Sequence, residues 1–257
     1  MNRTLSSALA SLPANLLGSK TSEFDSDSPW HDRNLGRAED RSAPEHLFTP
    51  VGYEAGYRYP LIVWLHSHAS SEFELPNVMS QLSLQNHTAI APRGTERISR
   101  DEEVFTWRQT PTHIDLAAQR VEQCIGIAKQ IRNVHSDRIF LAGFGTGGTM
   151  ALRLGLRHPE WFAGVISLNG PMPTGFSPLG RVNHSRGLPI LMGSGLESET
   201  YDLDAVYQDV RLLQTAGLKL DVRHFNAGDE LRTPMLKEIN SWIMNFVCSG
   251  SATAQAI

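Results

Sequence analysis

The 257-residue chain has two cysteines, Cys124 and Cys248, too few and too far apart in sequence for a disulfide framework or a cysteine metal site. No run approaches the ~18 consecutive apolar residues of a membrane-spanning helix. The first twenty residues are broken by Ser, Pro and Asn too often to form the apolar stretch of a secretory signal. Charge excess is small, −4 from 23 basic and 27 acidic residues, so the basic field of a nucleic-acid binder is missing. There is no internal repeat. These absences predict a cytoplasmic chain with no nucleic-acid partner, no membrane span and no cofactor.

What is present is enough apolar material, 40% of residues, for one large core. Residues 1–45 lack hydrophobic periodicity over their polar second half and read as a disordered or loosely packed leader. A single domain is expected over 46–248, with a flexible tail at 249–257. Within it, PLIVWLH (Pro60–His66), HTAIAPRG (His87–Gly94), RIFLAGF (Arg138–Phe144), GVISLN (Gly164–Asn169) and PILMGS (Pro189–Ser194) read as strands, several of them continuously apolar as in a doubly covered sheet. HLFTPV (His46–Val51) reads as a short first strand and LKLDVRHF (Leu218–Phe225) as an alternating one. Helical spacing marks Ile114–Arg132, Thr149–Leu156, Asp204–Ala216 and Leu231–Val247. Strand and helix alternate, which predicts an α/β fold with a mostly parallel central sheet and helices on both faces. A ligand on such a sheet sits at the carboxyl ends of the strands.

One segment is specific. LAGFGTGGTMALRLGLRHPEWFAGVISLNGPMP (Leu141–Pro173) resembles the strand–turn–helix of the phospholipase/carboxylesterase family of α/β-hydrolases, whose pattern is Gly-Phe-Ser-Gln-Gly-Gly. LIVWLHSHAS (Leu61–Ser70), APRG (Ala91–Gly94), FTWRQ (Phe105–Gln109), LPILMGSG (Leu188–Gly195) and FNAGDEL (Phe225–Leu231) fall in the family's order along nearly the whole domain. The resemblance implies an α/β-hydrolase fold and, in an intact member, carboxylic ester hydrolysis by a Ser-His-acid triad.

Carried onto this sequence, the nucleophile position is Gly145, which has no hydroxyl, although Gly143, Gly147 and Gly148 of the turn remain. The histidine position, after Gly228, is Asp229. The acid position counts to Ser198, flanked by Glu197 and Glu199. No triad member is intact. The oxyanion donors implied are the amide of Thr146 and one near Ser67 and His68, where the family's His-Gly has become His66-Ser67.

Ordinary roles compete for each of these residues. Thr146 suits capping the helix start better than attack on a carbonyl. Asp229 and Glu230 suit the positively polarised start of the last helix better than contact with a cationic or hydroxyl-bearing ligand. His66 and His68 alternate onto one face. With Asp229 they are a candidate two-His, one-carboxylate metal set, against packing of one ring and solvation of the other. Trp107, Met172 and Phe176 are candidates to line an acyl pocket, and Trp64 reads as core. The expected function is a catalytically silent member that binds a small hydrophobic or acyl ligand, or that dimerises with itself or an active relative. The alternatives are a serine-independent or residual carboxylesterase or thioesterase acting on small acyl esters and, third, a metal-dependent activity.

Overall fold

The computed structural model describes residues 45–254, with side chains to residue 248. The leader expected before residue 46 lies outside the described residues apart from Glu45, and so does the tail apart from the backbone of 249–254. In chain order the elements are β1 (Glu45–Phe48), β2 (Tyr59–Leu65), α1 (Leu75–Leu82), β3 (Thr88–Pro92), β4 (Glu96–Arg97), β5 (Phe105–Thr106), α2 (Pro111–Ile131), β6 (Val134–Phe144), α3 (Thr146–Arg157), β7 (Gly164–Leu168), α4 (Val182–Ser185), β8 (Pro189–Gly195), α5 (Leu203–Thr215), β9 (Lys219–Phe225) and α6 (Thr233–Ala254). Seven strands form one sheet in the order β1-β3-β2-β6-β7-β8-β9, and β4 pairs with β5 apart from it. Only β1 runs antiparallel in the large sheet.

The continuous apolar run of β2 is explained by cover on both faces. Leu61, Val63 and Leu65 pack into one cluster with residues of α2, α3 and α5, while Ile62 and Trp64 pack into the opposite cluster with α1 and α6. Successive strand side chains alternate between faces, so a strand buried twice needs apolar residues at every position. At the sheet edge β9 alternates instead, since one of its faces meets water.

Several boundaries differ from the sequence reading for stated reasons. Between Ser70 and Gln85, where the sequence reading places no element, the chain forms a 3-10 turn (Glu72–Glu74) and α1. The apolar face of α1, at Leu75, Val78, Met79 and Leu82, spans only two turns behind Pro76. β6 starts at Val134, ahead of its apolar run, because Val134 pairs with Tyr59. α3 begins at Thr146, three residues earlier than expected. Gly147 and Gly148 do not break it but let it approach the sheet: a Cβ on Gly147 would collide with the Leu65 carbonyl oxygen. α6 starts at Thr233 rather than Leu231 and continues past Val247.

Candidate active site

The corner between β6 and α3 is the centre of the site. Gly145 sits there at φ 54°, ψ −119°, a left-handed backbone position that glycine adopts without cost. Its N–H donates to the Leu168 carbonyl (2.8 Å) and its own carbonyl accepts from Thr149 N–H (3.0 Å), so the turn is held by β7 on one side and α3 on the other. A Cβ on Gly145 would meet nothing within 4 Å. The corner therefore faces open space: a cavity of about 630 Å3 that gathers Gly145, Thr146, Ser67, His68 and Asp229, with apolar walls at Phe144, Pro171 and Leu231.

Asp229 does not cap α6, which starts four residues later. It accepts from Ser198 Oγ (2.5 Å), Thr200 Oγ1 (2.6 Å), Glu199 N–H (3.1 Å) and Thr200 N–H (3.3 Å). Ser198 Oγ in turn accepts from Tyr201 N–H at 3.0 Å. The residues counted to the acid and histidine positions thus do meet, with a hydroxyl and a carboxylate in place of a carboxylate and an imidazole. The Ser198 bond first and the Thr200 bond next hold the Asp229 carboxyl below its ordinary range. It is ionised at neutral pH.

Thr146 does not cap α3. It is the first helical residue, and its hydroxyl accepts from Thr106 Oγ1 at 3.4 Å. Thr106 Oγ1 also lies 3.0 Å from His68 Nδ1, so Thr146, Thr106 and His68 form a chain beside Gly145. The amides of the first turn of α3 have no intrahelical acceptor, which leaves Thr146 N–H suited to an oxyanion. Ser67 is not: its N–H (3.1 Å) and Oγ (2.5 Å) both donate to the Glu74 carboxylate.

Strand alternation does not govern His66 and His68, because β2 ends at Leu65, and His68 lies exposed in the turn that follows. His66 is fully buried. Its Nε2 accepts from Gly94 N–H (2.9 Å), which places the ring proton on Nδ1, where it is donated to the Ser67 carbonyl (2.7 Å). Burial holds its pKa below the ordinary histidine value. Neither ring nitrogen is left for a metal. Among the described residues no group of three His, Cys, Asp or Glu side chains is placed to hold a metal ion.

The three acyl-pocket candidates also lie elsewhere. Trp107 is core, its indole N–H bonded to the His66 carbonyl (3.0 Å), and Met172 is core, its amide bonded to Asp209 (2.7 Å). Phe176 lines a separate cavity. Two residues of the site have no sequence signal. Glu74 receives Trp64 Nε1–H (2.8 Å) as well as Ser67, tying the strand end to the loop. Asn169, at φ 47°, donates to the Gly228 carbonyl (2.8 Å) and accepts from Gly195 N–H (2.7 Å), which clamps the ends of β7 and β8 to the turn bearing Asp229.

Comparison with known proteins places this geometry in context. Residues 60–246 match the family model described as Phospholipase/Carboxylesterase. A rice protein (Oryza sativa subsp. japonica) described as a probable carboxylesterase is 27% identical over 134 residues, 47% of this chain and 50% of that one. Matches to three curated relatives span 21%, 50% and 62% of those proteins' own lengths. Among solved structures, Zea mays acyl-protein thioesterase 2 superposes with a TM-score of 0.63 at 16% identity, covering 80% of this chain and 99% of that one. Arabidopsis thaliana SOBER1 gives 0.61 at 20%, covering 74% and 99%. At these identities the structural likeness is one of fold.

Proposed function

The chain belongs to the phospholipase/carboxylesterase family, and we propose that it is a catalytically silent member that uses its cleft to bind rather than to cleave. The observation that carries this reading is the elbow corner: its backbone is in place, yet the residue at its tip has no side chain and no atom able to bond an acyl carbon. The general base fares no better. An ionised Asp229 that already accepts four hydrogen bonds neither takes nor returns a proton near neutral pH in the way an imidazole does. Loss of the nucleophile or base in such a triad costs on the order of 10⁶-fold in turnover. The cleft itself persists at ligand size. Glu74 and Asp229 carry negative charge held by neutral donors, which favours an uncharged hydrophobic or acyl ligand over a fatty carboxylate. A regulatory role, alone or in a dimer with itself or an active relative, and a cytoplasmic site of action belong to the same proposal.

The test is a fluorophosphonate probe together with p-nitrophenyl butyrate. No labelling and no hydrolysis above a Gly145→Ala control is the expected result; labelling of the wild-type chain overturns it. A second reading rests on the Thr146–Thr106–His68 chain with its hydroxyl hydrogens turned the other way, Thr146 donating to Thr106 and Thr106 to His68 Nδ1, so that a proton leaving the Thr146 hydroxyl reaches His68 through Thr106. That arrangement supports a serine-independent or residual esterase or thioesterase. It requires that any ester hydrolysis vanish in Thr146→Val and in His68→Ala while the melting temperature holds. The metal-dependent reading is set aside, since both His66 nitrogens are occupied.

A further inference from the structure

The loop leaving β7 carries three consecutive residues at positive φ: Gly175 (69°), Phe176 (53°) and Ser177 (49°). Side chains other than glycine's avoid this region, so such a run persists only where its neighbours hold it. Arg153 of α3 is the neighbour that does. Its Nη1 donates to the Gly175 carbonyl (3.1 Å), its Nη2 to the Thr174 carbonyl (2.6 Å) and its Nε to Gln109 Oε1 (2.5 Å).

These acceptors are all neutral, although Arg153 is only 3% exposed. The neighbouring guanidiniums are compensated: Arg157 by Asp115 at 2.7 Å and Arg181 by Glu160 at 3.3 Å. Arg153 is thus a buried cation with no carboxylate against it among the described residues, and burial followed by the Arg157 charge pulls its pKa down. A buried charge without a counter-charge is costly. Beside it Gln109 Nε2 is also buried without a hydrogen-bond partner among the described residues. Arg153 lines a cavity of about 370 Å3 with apolar walls at Ile114, Leu156, Pro178 and Phe176, the last 61% exposed, and the paired side chains of Arg157, Asp115 and Arg181 line it too. This cavity shares no lining residue with the cleft at Gly145.

We infer that this second cavity binds a small carboxylate with an aryl or short alkyl body, its anion on Arg153 and its apolar part against Phe176, Leu156 and Ile114. A guanidinium has five N–H donors and three are engaged here, which leaves donors for a carboxylate. With Arg157 paired to Asp115 and Arg181 to Glu160, Arg153 is the cavity's uncompensated positive charge among the described residues, which suits a monoanion rather than a phosphate dianion. The volume lies in the range of small-molecule sites. Arg153 keeps its bonds to the Thr174 and Gly175 carbonyls while its remaining donors take the carboxylate.

The experiment is calorimetric titration of the full chain with phenylacetate, its neutral analogue phenylacetamide, and inorganic phosphate. The expected result is 1:1 binding of phenylacetate, weakening with added salt, with phenylacetamide at least about tenfold weaker. Arg153→Met abolishes binding. Phe176→Ala, at an exposed position that leaves the Arg153 hydrogen bonds in place, weakens it several-fold without lowering the melting temperature. This second variant keeps the proposal testable should Arg153→Met fail to fold. Absence of phenylacetate binding at millimolar concentration, equal binding of the amide, or affinity unchanged in Phe176→Ala overturns the assignment. Phosphate binding more tightly than phenylacetate overturns the carboxylate class.

Discussion

Ser198 Oγ donates to Asp229 Oδ1 across 2.5 Å, joining the end of β8 to the turn before α6. The contact joins the two residues proposed to stand at the family's acid and histidine positions, a hydroxyl donating to a carboxylate. An aspartate held by hydroxyls and amides has a folded pKa below its unfolded value of about 3.9. Its contribution to stability is therefore complete above about pH 5 and is lost as the pH falls through the folded value. The stability difference between wild type and Asp229→Asn is expected to be constant from about pH 5 to 8 and to shrink below about pH 4. In Ser198→Ala the carboxyl titrates closer to about 3.9, which carboxyl-carbon NMR reads directly.

On the proposed reading, installing the family's chemistry requires three positions at once. Gly145→Ser alone supplies a hydroxyl with no base, and Asp229→His alone supplies a base with no acid, since Ser198 is a hydroxyl. Fluorophosphonate labelling is expected only in the triple variant Gly145→Ser, Ser198→Asp, Asp229→His. Serine at φ 54° costs about 1–3 kcal/mol. Each kcal/mol lowers the melting temperature by about 2–4 °C in a domain of this size. Scanning calorimetry checks the cost separately from the activity.

Buried histidines set the acid limb of stability. His87 is fully buried, with Nε2 at 3.0 Å from Asn240 Oδ1 and Nδ1 without a partner among the described residues, and burial pushes its pKa down to about 4. The unfolded chain therefore binds this proton first, and stability falls as the pH drops from about 6.5 to about 4. The loss attributable to His87 is about 3 kcal/mol. Urea melts of His87→Leu across that range are expected to show a correspondingly shallower decline. His66, shifted in the same direction, leaves a residual slope.

Two glycines on helices are expected to respond in opposite directions to alanine. In α3, Gly147→Ala drives a Cβ into the Leu65 and His66 carbonyl oxygens, so the helix must leave the sheet. A loss of about 3 kcal/mol or more follows. Gly126 in α2 has nothing within 4 Å of its Cβ position, and Gly126→Ala gains about 0.5–1 kcal/mol from helix propensity. Denaturant midpoints distinguish the two.

The fold is legible in the sequence wherever one residue pattern determines one environment. The apolar run of β2, buried at every position, matches the strand within one residue at each end, and the run of β6 ends on the strand's last residue. The corner itself is legible too, because Gly145 lies between Gly143 and Gly147 where strand passes into helix. Partners contributed from distant elements are not. Glu74 and Asn169 are unmarked polar residues in the sequence until β2 and β8 are brought against them. Trp107 and Met172 look like pocket residues because apolar character does not say which side of a backbone a residue faces. Thr146 looks like a cap because Gly147 and Gly148 hide the first turn of a helix that starts three residues before its apolar spacing.

The left-handed glycine at the β6–α3 corner has an evolutionary consequence. Losing a side chain there is downhill for the backbone, whereas regaining one is uphill and returns no catalysis until two further positions change. The corner works as a ratchet. On the proposed reading, random substitution moves this chain away from hydrolysis more readily than toward it, so any new use of the protein is selected on a scaffold free of the family's reaction.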